Sequence, residues 1–187
     1  MTLGEKKKFS EHSYSNECTY DGQWKDHKRH GIGIFEWPPI AQTKYWGQFN
    51  DDRREGRGMI TYRDGAWYEG QWEQDRRNGE GTFMWSDGTY YKGEFKDDFM
   101  HGNGTFVWSS GSNYEGEWRA NKKEGQGKMH CNADNSYYDG QWSDDKRHGR
   151  GRMTWNTPDG EASYDGDFVN DLKHGQGTYR WADGTVY

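Results

Sequence analysis

The chain has 187 residues and a net charge of −6, and only 29% of it is apolar, yet Trp, Tyr and Phe make up 17%. The acidic balance gives no general pull toward nucleic acid, two cysteines form no disulfide framework, and no apolar run approaches a membrane span or a secretory core. These features predict a soluble, intracellular protein in a reducing compartment.

In chain order, residues 1–19 ("MTLGEKKKFSEHSYSNECT") read as a polar lead-in or cap. From Tyr20 the sequence repeats. Tyr20, Tyr45, Tyr68, Tyr91, Tyr114, Tyr138 and Tyr164 each open a Tyr-x-Gly-x-Trp/Phe stretch, and Tyr187 opens another. Eleven residues after each tyrosine comes the first glycine of a Gly-x-Gly pair, from Gly31 to Gly175. That offset never changes, whereas the stretch from Gly-x-Gly to the next tyrosine varies in length. A period in the twenties signals a stacked-repeat array. Both stretches alternate with period two, so each copy reads as two strands of a hairpin. The return turn, as in "WSDGT" at Trp85–Thr89, is read as a three-residue loop with Gly in the left-handed region, which keeps every aromatic on one face.

This register sets Phe83 opposite Tyr68 and Tyr91, Gly81 opposite Gly70 and Gly93, and Gly79 opposite Trp72 and Phe95. Glycines weaken a strand, but rings lying over the bare backbone offset the loss. The expected architecture is all-β: an elongated, single-layer antiparallel meander of stacked hairpins with open ends over residues 20–187, on the order of 70 Å long. Its aromatic groove is formed by Tyr68, Trp72, Phe83, Trp85, Tyr91, Phe95, Phe106, Trp108, Tyr114 and Trp118.

The Tyr-x-Gly-x-Trp, Gly-x-Gly-x-Phe pattern resembles the MORN (membrane occupation and recognition nexus) repeat, in seven copies plus a beginning. The resemblance implies a curved meander sheet used as a protein-binding or scaffolding module. Some members are membrane-associated, and others are ciliary and cytoskeletal parts, including proteins of the axonemal radial spoke head.

No motif suggests a catalytic set or a phosphate loop, so the chain reads as non-enzymatic and cofactor-free. His30, His101, His148 and His174 each precede a Gly-x-Gly pair, but adjacent copies lie about 9–10 Å apart, too far to share a metal ion with bonds near ~2 Å. Three surfaces are candidates for partners. Lys28-Arg29, Arg53-Arg54, Arg76-Arg77, Lys122-Lys123 and Lys146-Arg147 fall at the hairpin tips; they read either as an anion-binding ridge, for phospholipid or an acidic protein, or as solvated turns. Phe99 and Met100 replace the bases at the fourth tip, and either meet a partner or fold back over the sheet edge. Ile32, Ile34, Trp46, Met59, Trp67, Met84, Tyr90 and Val107 put apolar side chains on the nominally polar face, so the N-terminal half reads as covered on both sides. The expected partners are other proteins, with membrane contact as the alternative. The last strand edge, Thr178–Tyr187, is expected to pair with a second copy, a partner strand or further chain.

Overall fold

The computed structural model describes residues 10–13 and 17–187; of the lead-in expected for residues 1–19, residues 1–9 and 14–16 lie outside the described residues. The chain divides into two compact units, residues 1–86 with 96–98, and residues 87–95 with 99–187. The first holds β1 (Ser10–Ser13), β2 (Thr19–Lys25), β3 (Lys28–Glu36), β4 (Lys44–Asn50), β5 (Arg53–Thr61), β6 (Trp67–Glu73) and β7 (Arg76–Met84). The second is built on β8 (Tyr90–Lys96), β9 (Phe99–Val107), β10 (Asn113–Arg119), β11 (Lys122–Cys131), β12 (Ser136–Ser143), β13 (Lys146–Thr157), β14 (Gly160–Val169) and β15 (Leu172–Arg180). In each unit the strands run in chain order as an antiparallel meander, and the described residues contain no helix. β1 adds a strand ahead of the first copy, with His12 opposite Tyr20.

The return loops after Thr61, Val107 and Arg180 follow the expected form. Tyr62 and Ala66 close a loop whose Gly65 has φ +90°, and Gly65 N–H donates to the Tyr62 carbonyl at 3.0 Å. The tips are tighter. Gln74 and Asp75 have φ of 47° and 69°, a two-residue turn with both residues left-handed, which matches the twist of the flanking strands. Such a turn allows no length variation, which accounts for the constant first connection.

One expected register is corrected. Gly70 faces Gly81 and Tyr68 faces Phe83, but Trp72 faces Arg77, not Gly79. Between those pairs Gln71 stands opposite three residues, Asn78, Gly79 and Glu80, in a β-bulge. Gly79 takes φ +68° there, and the Gln71 side-chain oxygen accepts the Glu80 N–H at 3.0 Å. Between successive hairpins the expected facing holds, as in Gly56 opposite Trp72 and Gly102 opposite Trp118.

The core is the tyrosine row. Tyr20, Tyr45, Tyr68, Tyr91 and Tyr114 are completely buried in a one-layer sheet. Each ring lies over two facing glycines: a Cβ built on Gly81 would sit 2.5 Å from the Tyr68 ring. The hydroxyl donates to the carbonyl three residues on, at 2.9–3.2 Å in all seven copies. Gly81→Val should therefore cost about 3 kcal/mol, because the ring above cannot move without losing its own hydrogen bond, whereas exposed Glu80→Val should stay within about 0.5 kcal/mol. Paired urea and thermal melts test this, and equal losses would refute the face assignment.

Candidate functional site

On the ring face, Tyr20, Tyr45, Tyr91, Tyr114 and Tyr138 each meet the Trp or Phe of their own copy and that of the next. Tyr45 contacts Phe49 at 5.1 Å and Trp72 at 5.4 Å, and Tyr114 contacts Trp118 at 5.1 Å and Trp142 at 5.3 Å, all edge-to-face. The Trp72 indole N–H also donates to the Gly58 carbonyl of the preceding copy at 3.0 Å. Of the residues assigned to an aromatic groove, Tyr68, Trp72, Tyr91, Phe95, Tyr114 and Trp118 are buried core and have no surface to offer a partner. Phe83, Trp85, Phe106 and Trp108 stay half-exposed.

The second base of each tip pair lies on this same face. Arg54 stands 4.2 Å over Trp72, Arg77 5.2 Å over Phe83, Lys123 4.4 Å over Trp142 and Arg29 4.8 Å over Phe35, positions where a cation is attracted to the ring. These bases also tie each tip to the next. Asp75 Oδ1 accepts the Arg54 backbone N–H at 2.9 Å and Nε–H at 3.1 Å. Asp52 does the same for Arg29, Asp98 for Arg77 and Asp171 for Arg147, and Asp145 accepts the Lys123 N–H at 2.9 Å. Where Met100 replaces the base, the acceptor becomes Asn121, which takes the Met100 N–H at 2.8 Å. Base and acid are lost together.

The first bases point the other way. Lys28 pairs with Asp51 at 3.7 Å, Arg76 with Asp97 at 3.0 Å and Lys122 with Asp144 at 2.7 Å. Arg53 and Lys146 have no carboxylate partner among the described residues. Phe99 is 48% exposed, and Met100 is half-buried. At the last edge Tyr179 exchanges two backbone hydrogen bonds with Tyr187, at 2.8 and 2.9 Å.

The outer face differs between the units. In the first, Ile34 faces Trp46 and Trp46 faces Met59, forming one transverse row, and Trp67 faces Met84 in the next. Trp46 is 57% and Ile32 43% exposed. Tyr90 and Val107, half-buried, belong to the second unit. There the row equivalent to Ile34–Trp46–Met59 reads Glu115, Lys128, Asp139, Arg152, Asp165, alternating in charge across the strands. No group of three or more His, Cys, Asp or Glu suited to a metal ion occurs among the described residues.

Two of these pairings have a signal in the sequence. The residue before Trp/Phe in the first strand is always Gln, Glu or Asp (Gln23, Gln48, Gln71, Glu94, Glu117, Gln141, Asp167), because its side chain closes the bulge. The tip aspartates occur at one position because they receive the preceding tip's base.

A family model described as MORN repeat matches residues 20–39, 45–67, 68–90, 91–113, 114–135, 138–157 and 164–186. The chain belongs to the MORN repeat family. No curated protein matches it. Among solved structures it is similar to the TCP10 domain of Danio rerio CPAP (E1021V mutant), at 11% identity and a TM-score of 0.48, covering 100% of this chain and 90% of that one. No helix among the described residues is long and apolar enough to cross a membrane.

Two predictions follow from this geometry. Adding both Arg at position 100 and Asp at position 121 should rebuild the missing tip contact. The double-mutant cycle of Met100→Arg and Asn121→Asp should give a coupling of about 0.5–1 kcal/mol that shrinks with salt. The second concerns alkali. Burial holds the Tyr45, Tyr68 and Tyr114 phenols well above their ordinary value and pushes Tyr138 up to about 12. A folded-state value raised above the unfolded ~10 means this stabilisation is complete below pH ~10 and is lost as pH rises through the folded values. Phenolate absorbance should lag behind that of free tyrosine, then appear together with the loss of the strand circular dichroism signal.

Proposed function

We propose that this chain is a non-catalytic scaffold that docks partner proteins on the outer face of its first unit, through Ile32, Ile34, Trp46, Met59, Trp67 and Met84. The observation that carries the reading is the row Ile34–Trp46–Met59, with an indole 57% exposed at its centre. Folding asks nothing apolar of this face, since the tyrosine row on the other side makes the core. An apolar row with a polar surround is the anatomy of a protein interface. A cytoskeletal or ciliary assembly is the setting we propose, because the MORN resemblance includes such parts among its members. Recruitment to anionic membranes through the tips is the weaker reading. It is favoured by unpaired Arg53 and Lys146, but the second bases are engaged by rings and by the next tip.

A photo-crosslinking residue at Ile32 should capture partner proteins that the same residue at Arg152 does not, and Trp46→Asp should abolish the capture without changing the circular dichroism spectrum. Capture unaffected by Trp46→Asp, together with salt-sensitive binding to anionic liposomes that is lost in Arg53→Glu/Lys146→Glu, would favour the membrane reading instead.

A further inference from the structure

The apolar row of the first unit is closed by an acid at each end. Asp21 on β2 faces Ile34, and Glu69 on β6 faces Met59, so the row reads Asp21, Ile34, Trp46, Met59, Glu69 across five strands. Both carboxylates are exposed, and neither has a cationic partner among the described residues. The equivalent row of the second unit shows what is missing. There Lys128 and Arg152 stand between Glu115, Asp139 and Asp165, and Lys128 reaches Asp139 at 3.7 Å. In the first unit the second-strand positions that carry these bases hold Ile34 and Met59, and Trp46 takes the place of the middle acid. The first unit's row thus lacks the bases and has the outer two acids.

We propose that the partner segment received on this face is apolar and bounded at both ends by Lys or Arg, and that Asp21 and Glu69 pair with those two cations. Four strand spacings set the cations about 19 Å apart. The apolar centre supplies most of the binding, while the two rim carboxylates fix the segment's position and exclude acidic-flanked competitors. The inference rests on the docking reading above and adds the chemistry of the occupant.

The test selects short random displayed peptides against the full chain and retains those lost on Trp46→Asp, a variant checked for an unchanged circular dichroism spectrum and melting temperature. The retained peptides should carry an apolar run with Lys or Arg on both sides. Each should bind Asp21→Lys/Glu69→Lys at least about fivefold more weakly, and a second selection on that variant should return Asp or Glu at the flanks. Retained peptides with no excess of flanking bases, or with affinity indifferent to the double reversal, would overturn the proposal and leave the docking surface standing. Finding no peptide that depends on Trp46 would remove the docking reading, and the proposal with it.

Discussion

The structure depends on one contact, a tyrosine ring laid flat over the bare backbones of two facing glycines. A one-layer sheet has no second layer to cover an aromatic residue. Here the cover comes from within the sheet, because the glycines leave a trough one ring deep and the Trp or Phe of two successive copies close it edge-on. The hydroxyl reaches the carbonyl three residues along at a bulge that exposes it. Tyrosine, two glycines, bulge and tip turn are thus one device, and none of its parts can be changed alone. The energy is aromatic contact and burial, which is how a chain so poor in aliphatic residues folds.

Confining the core to one face leaves the other free of folding duties, so the outer face can differ from copy to copy while the period is kept. The second unit fills it with a ladder of alternate charges, and the first with an apolar row between two acids. The contrast within a single chain is informative, because both rows occupy the same places in the same repeat and answer to the same backbone.

The repeat, the strand order, the return loops and the tyrosine–glycine register could all be read from the sequence, because period two and period twenty-three superimpose on them without conflict. The bulge could not be read by alternation, since it sets one residue against three and depends on Gly79 adopting a left-handed conformation. The place of the tip bases is hidden for a related reason. Treated as loop residues they belong to solvent, yet carrying the alternation of Phe83 and Gly81 back to residue 77 would have set Arg77 on the ring face. Alternation places the aromatic row, but hydropathy alone does not distinguish a ring that lines a groove from one sealed beneath its neighbours.

The pairing of each tip with the next has a consequence for how such an array can be lengthened or cut. Arg54 answers to Asp75 and Met100 to Asn121, so chemical matching lies at the joints rather than inside the copies. Excising the fourth copy whole would bring Arg77 against Asn121 and leave a guanidinium without its carboxylate. The natural exchangeable segment runs from the ring face of one hairpin to the tip of the following one, half a repeat out of phase with the motif that the eye picks out in the sequence.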